Sequence, residues 1–106
     1  SFKQAVLVEF PRPGMYSMGF VTSDQHNEVQ AKTPKPVWSI FVPTTPNPTT
    51  GFLVFVPECE LIRLDMPVAD AIKAIISLGS VMPPYPGGPV PLPPGAEPMI
   101  PGSRPG

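Results

Sequence analysis

Few residues in this chain have the chemistry for acid–base, nucleophilic or metal catalysis. His26 is the one histidine and Cys59 the one cysteine, and no metal-ligand spacing relates them. Cys59 stands between Glu58 and Glu60, whose negative charges disfavour a reactive thiolate. These patterns favour a surface histidine and a structural thiol. We therefore expect no catalytic residue, no cofactor and no bound metal, and a protein that is not an enzyme.

The few charged residues allow one alternative to a protein without a ligand-binding or catalytic pocket. If Arg12 and Arg63 met Glu58 and Glu60 in a pocket, that pocket would bind a small ligand or a lipid headgroup, or host an enzyme. The competing interpretation is that the two glutamates, which share one face of a strand, simply face solvent.

A proline- and threonine-rich loop is the candidate interaction site. It joins two apolar runs, its prolines make it stiff, and its threonines and asparagine supply hydrogen-bonding groups. The functional interpretation is a preformed recognition loop on rigid strands, and the structural one is a corner whose prolines lower the entropy of the unfolded chain. The loop comprises Pro43, Thr44, Thr45, Pro46, Asn47, Pro48, Thr49, Thr50 and Gly51.

The composition of the chain excludes a nucleic-acid-binding patch and a membrane-spanning segment within these 106 residues. Charged residues make up 14%, with 7 Lys and Arg against 8 Asp and Glu, so no basic patch for nucleic acid is expected. The longest apolar runs fall far short of the roughly 18 to 20 residues that cross a bilayer. The chain begins at Ser1, without a methionine or a signal-like segment, and we expect it to be a fragment of a longer protein.

Period-two alternation and short apolar runs predict about five strands. The first two flank a turn at Pro11 to Gly14, and Gly19 is a candidate bulge or close-approach site. The third and fourth, nearly continuous in apolar residues, are expected at the centre of the sheet, covered on both faces. Between the second and third, residues 23–35 are predicted to be a mobile polar connection. The strands are predicted at residues 4–10, 15–22, 37–42, 52–56 and 60–64.

One amphipathic helix is predicted after the last strand. Val68, Ala71, Ile72, Ile75 and Leu78 or Ile76 would face inward, with Pro67 at the start and Gly79 at the stop. Beyond Met82, proline and glycine dominate, which predicts a disordered or polyproline spacer. The predicted fold class is α+β and mostly β, a small sheet or partly closed barrel. The predicted domains are 1–82, β-rich, and 83–106, a Pro/Gly tail.

Several stretches of this sequence carry a family resemblance. They are residues 6–14, 17–22 and 42–57, then Leu64-Asp65-Met66, and the helix that ends at Gly79. Together they resemble the conserved region of domain-of-unknown-function family 502, which includes the plant continuous-vascular-ring and like-COV proteins. The resemblance covers about residues 3–82, and the 83–106 tail is not part of the family pattern.

The resemblance implies an integral membrane protein. Members have transmembrane segments, usually two, upstream of this region, which would place the domain on the cytoplasmic face. Plant members are linked to vascular patterning and membrane trafficking, with no established enzymatic activity. We therefore expect a non-enzymatic domain that mediates protein interaction or assembly at the membrane, with a protein partner or a homo-oligomer. A third hypothesis is that the domain only braces the membrane segments.

Overall fold

A computed structural model describes residues 2–87 and Gly95. Five antiparallel strands form one open sheet in the order β4-β3-β2-β1-β5. This confirms the predicted mostly-β α+β class and, of the two predicted arrangements, gives the small open sheet and not the partly closed barrel. The elements are β1 Gln4–Glu9, β2 Tyr16–Ser23, α1 Glu28–Lys32, β3 Val37–Pro43, β4 Gly51–Pro57, a single 3₁₀ turn Glu58–Glu60, β5 Ile62–Arg63 and α2 Val68–Ile76.

The first two strands form the expected hairpin. The amide of Phe10 donates to the carbonyl of Met15 at 2.9 Å, and the amide of Met15 donates to the carbonyl of Arg12 at 3.2 Å. Gly14 takes a φ of +83°, which a residue with a Cβ rarely adopts, and this reverses the chain after the two prolines. The hairpin places the 10–15 turn at one end of the sheet, beside the loop that joins β3 to β4.

Each face of the sheet buries its own apolar cluster. One face, here called the Trp face, buries Val6, Val8, Val21, Ile40 and Val42, with Trp38 packed against them. The other, the helix face, buries Ala5 and Phe20 under Ala71 and Ile75 of α2. The strict alternation of β1 and β2 thus divides their side chains between two separate cores.

The sheet curls so that strands far apart in the order touch across the Trp face. The ring of Phe10, after β1, lies 5.4 Å from the ring of Phe52 on β4, although two strands separate them. Gly19, in the middle of the sheet, lies where β2 and β3 approach closely. A Cβ there would lie 2.8 Å from Cγ2 of Ile40, so the prediction of a close-approach site is confirmed. The register irregularity falls nearby, between Val21 and Ser23.

Helix α2 is amphipathic as predicted, but its inward stripe ends earlier than expected. Ala71, Ala74 and Ile75 are buried, whereas Ile76 and Leu78 are exposed. Ile76 lies within α2 but on its outward face, one turn after the exposed Lys73. Leu78 lies beyond the helix end, where Leu78 and Gly79 both take positive φ. The amide of Gly79 donates to the carbonyl of Ala74 at 2.7 Å, which closes the C-terminal turn.

Two expectations about the sheet and its connections need correction. The apolar run of β4 was expected at the centre, but β4 is the edge strand, and the central strand is β2. The polar connection at 23–35 contains a short helix, α1, and none of the residues of this helix is buried. Asn27 caps it by accepting from the amide of Gln30 at 3.1 Å, and Lys32 pairs with Glu28 at 2.7 Å.

The predicted tail falls largely outside the described residues, so its expected disorder at 88–94 and 96–106 stays a prediction. Neither helix in the described part of the chain has the length and apolar character to span a bilayer.

Candidate functional site

The 43–51 loop is closed on itself by the side chain and backbone of one threonine. The amide of Thr44 donates to the carbonyl of Thr50 at 2.8 Å, which continues the ladder between β3 and β4. The hydroxyl of Thr44 lies 2.6 Å from that of Thr50 and 2.9 Å from the carbonyl of Asn47. Two other residues of the loop, Asn47 and Thr50, therefore converge on Thr44.

Asn47 organises the tip of the loop. Its Oδ1 accepts from both the amide of Thr49, at 3.1 Å, and the hydroxyl of Thr49, at 2.6 Å. This Asx-type turn brackets Pro48. The Thr45-Pro46 peptide bond is cis, whereas Asn47-Pro48 is trans. Most of the hydrogen-bonding groups predicted for recognition thus hold the loop in shape.

Gly51 closes the loop where β4 begins. A Cβ at this position would collide with the carbonyl oxygen of Val42 and lie 2.7 Å from the Cα of Pro43. Glycine is therefore required because the two strands approach each other closely there.

Thr45 differs from the other loop threonines. Its side chain makes no hydrogen bond to any other residue that the structure describes, and it faces a groove of about 700 Å³. We call this the loop groove. It lies between the loop, the 10–15 turn and the end of α2, and it is lined by Phe10, Pro11, Ser17, Met18, Val42, Pro43, Thr44, Thr45, Phe52 and Ile75.

The four charges of the alternative site do not converge. Arg63 and Glu58 meet, with Nη2 to Oε1 at 3.3 Å, but each side chain is about half exposed, at 48% and 50%. Arg12 lies in the 10–15 turn, at the opposite end of the sheet from the Glu58 contact. His26 and Cys59 are both exposed. Among residues 2–87 and Gly95, no three His, Cys, Asp or Glu side chains are grouped to hold a metal ion.

A second groove was not predicted from the sequence. The hydroxyl of Tyr85 donates to Oδ2 of Asp65 at 2.6 Å, which folds the segment after α2 back over the start of the helix. This contact raises the pKa of Tyr85 above its ordinary 10.0, first through the hydrogen bond to the carboxylate and then through its negative charge. The resulting groove of about 400 Å³ is lined by Leu64, Asp65, Met66, Pro67, Asp70, Met82, Pro83, Pro84 and Tyr85.

The exposed edge of the sheet is the other feature that sequence reasoning missed. On β4 the side chains of Phe52, Leu53 and Phe55 are 54%, 63% and 41% exposed. The strand carries no charged residue. The signal in the sequence, an uninterrupted apolar run, is the same for a buried central strand and for an edge strand, so the run alone does not distinguish them.

Comparison with known proteins relates this sequence to a family of unknown function. Residues 1–50 match the model of a family described as "Protein of unknown function (DUF502)". The predicted resemblance to the DUF502 family is thereby confirmed. The part of the chain that matches the family model contains β1, β2, α1 and β3, together with the loop up to Thr50.

Three plant proteins from Arabidopsis thaliana are similar over a longer stretch. Protein LIKE COV 2 is 31% identical over 88 residues, which cover 78% of this chain and 31% of the relative. Protein LIKE COV 1 and Protein CONTINUOUS VASCULAR RING 1 are each 29% identical over 83 residues, again 78% of this chain. The chain spans about a third of the length of these three relatives. No solved structure matches it significantly.

Proposed function

We propose that this region is a non-enzymatic protein-interaction domain of a membrane-associated protein, and that it binds its partner at the 43–51 loop and the loop groove. The observation that carries this proposal is the loop's construction. Thr44 and Asn47 hold it rigid from within, while Thr45 is left facing an open groove with apolar walls. A preformed loop loses little conformational entropy on binding, which favours a protein contact.

The chemistry around the groove supports binding more than catalysis. Apolar side chains such as Met18, Phe52 and Ile75 line most of it, and its polar groups are hydroxyls and backbone. Apolar and aromatic surfaces of this kind form the centres of protein interfaces. The location at a membrane is supported by the family resemblance, and we place the domain on the cytoplasmic face.

A single charge at Thr45 tests this function. Because Thr45 forms none of the loop's internal bonds, Thr45→Arg should leave the loop intact and place an unpaired charge in the interface. In membranes that contain the full-length protein, we expect cross-linking to a partner to fall about tenfold or more, equivalent to about 1.4 kcal/mol or more of binding energy.

Gln25→Arg is the matched control. It adds the same charge at an exposed position beyond β2, at the opposite end of the sheet from the loop. Circular dichroism of both variants checks that the fold is kept. If the two variants cross-link alike, or if Thr45→Arg retains every contact, the loop groove is not the interaction surface and the proposal fails.

A further inference from the structure

The open edge of β4 presents unpaired backbone groups beside exposed apolar side chains. The amide of Thr44 bonds to the carbonyl of Thr50, and bonded pairs recur every two residues along an antiparallel ladder. The peptide groups of Val54 therefore point toward β3, and those of Leu53 and Phe55 point outward. Within the described residues, nothing pairs with these outward groups.

We propose that β4 pairs antiparallel with β4 of a second copy of this chain, so that two sheets join into one across a twofold axis at Val54. Leu53 of one copy would then exchange backbone hydrogen bonds with Phe55 of the other, and the two Val54 residues would face each other on the axis. This inference rests on the proposed function only in that the domain makes protein contacts. It places a second contact on the free edge of β4, which shares only Gly51 with the loop and Phe52 with the loop groove.

Self-pairing suits the side chains of this strand. About an axis at Val54, Phe52 meets Val56 on the Trp face and Leu53 meets Phe55 on the helix face. Every cross-strand pair is apolar, and cross-strand pairs of aromatic and β-branched residues stabilise a sheet. Since β4 carries no charge, no like charges oppose each other across the twofold axis. A charged strand of another protein would have no opposite charges on β4 to pair with.

The opposite edge of the sheet does not compete for β4. Strand β5 has two residues, Ile62 and Arg63. The guanidinium of Arg63 contacts Gln4 and Glu58 there, and such short, charged edges are how native sheets prevent pairing. A head-to-tail chain of sheets through β4 and β5 is therefore disfavoured, which leaves the closed twofold pair.

The tail of this chain is a poor strand to cover β4. Seven of the nineteen prolines fall in residues 88–106, and no four consecutive residues there lack a proline. Proline has no amide hydrogen to donate to a ladder. The sequence of the tail therefore disfavours an uninterrupted strand that would match the seven residues of β4.

Disulfide trapping tests the register. In a Cys59→Ser background, the Val54→Cys variant would bring two thiols together on the axis, in a non-hydrogen-bonded pair with Cα atoms about 4.5 Å apart. The matched control is Val56→Cys, on the same face of the same strand. Its two copies would be displaced by four residues, about 13 Å, which is beyond disulfide reach. We expect a covalent dimer from the first variant and a monomer from the second.

Sedimentation of the whole chain tests the backbone pairing. Phe55→Pro removes an amide that points away from β3, so the ladder within one copy is kept while the dimer should dissociate at least about tenfold more readily. Phe55→Ala keeps that amide and should dissociate less readily than the proline variant. If Phe55→Pro unfolds by circular dichroism, Leu53→Lys replaces it, since a charge at the edge blocks pairing.

Three results would overturn the proposal. The chain could sediment as a monomer at all concentrations, both cysteine variants could cross-link equally, or dimers could appear only after residues 88–106 are removed, which would make the tail the occupant of the edge. The cross-linking of Thr45→Arg reports on the loop groove alone, so a failure here is distinguishable from a failure of the proposed function.

Discussion

The guanidinium of Arg63, on β5, lies over the indole ring of Trp38, on β3, with its central carbon 4.6 Å from the ring centroid. Two strands lie between them in the sheet order, so the contact forms only because the sheet curls around its Trp face. Arg63 also contacts Glu58, at 3.3 Å. This cation–π contact links the short edge strand to the main body of the sheet.

We predict that Arg63→Ala lowers the free energy of unfolding by about 0.5–1 kcal/mol, the usual contribution of an exposed cation–π contact. Trp38 is the one tryptophan, so its fluorescence reports directly on the loss of the contact. Urea denaturation followed by fluorescence measures both effects. Arg12→Ala, in the exposed 10–15 turn, is the control and should change neither. Equal changes in unfolding free energy and fluorescence in the two variants would contradict a specific contact between Arg63 and Trp38.

The turn at Asn47 gives a second prediction. Asn47→Ala removes the acceptor of two hydrogen bonds from Thr49, and the loss of about 1 kcal/mol should speed hydrogen exchange at the Thr49 amide about fivefold. Asn47→Asp keeps an oxygen at the same position and should retain most of the protection. The amide of Thr44, bonded within the ladder to Thr50, is the internal reference and should change little. Fast exchange in the aspartate variant as well would show that Asn47 does not organise the turn.

The third prediction concerns alkaline pH. In the folded state the pKa of Tyr85 is raised above 10.0 because the neutral phenol donates to Asp65, so the folded state holds this proton more tightly than the unfolded chain. The contribution of the contact to stability is therefore fully present below pH 10, and it is lost as pH rises through the raised pKa. We expect an ultraviolet titration of the phenolate, assigned by difference from Tyr85→Phe, to show a midpoint above 10.0.

Asp65→Asn provides the control for this titration. It keeps an oxygen that can accept the hydrogen bond but removes the negative charge, so the midpoint for Tyr85 should fall back toward 10.0. An identical midpoint in Asp65→Asn and the unaltered chain would mean that the segment after α2 does not rest on the helix start in solution.

Local patterns in the sequence predicted most of the elements. The alternation of β1 and β2 divides the side chains between two faces, as expected, because successive residues of a strand point to opposite sides. The turn residues around Gly14 and the helix stop at Gly79 were also predicted, since both depend on backbone conformations that glycine favours. The candidate loop was found by its composition, and its role in binding stays a prediction.

Long-range placement was not predictable in the same way. The contact of Tyr85 with Asp65, twenty residues apart, and the contact of Trp38 with Arg63 depend on how the chain folds back. The exposure of Leu78 follows from where α2 ends relative to the sheet. No periodicity in the sequence carries this information, because the hydrophobic period of a segment shows which of its residues share a face and not how far that segment lies from others.

The sequence by itself therefore determined where the four longer strands lie, where the chain turns, and that the 43–51 loop is stiff and polar, because propensity, periodicity and the conformations of proline and glycine are local properties. It overestimated the fifth strand, predicted at 60–64, of which only Ile62–Arg63 is β5. Only the tertiary structure decided that the loop's hydroxyls mostly bind each other and that the most apolar strand lies at an open edge. Strand order and solvent exposure arise from the packing of distant segments, and a run of apolar residues is the same in the sequence whether its neighbour in space is another strand or water.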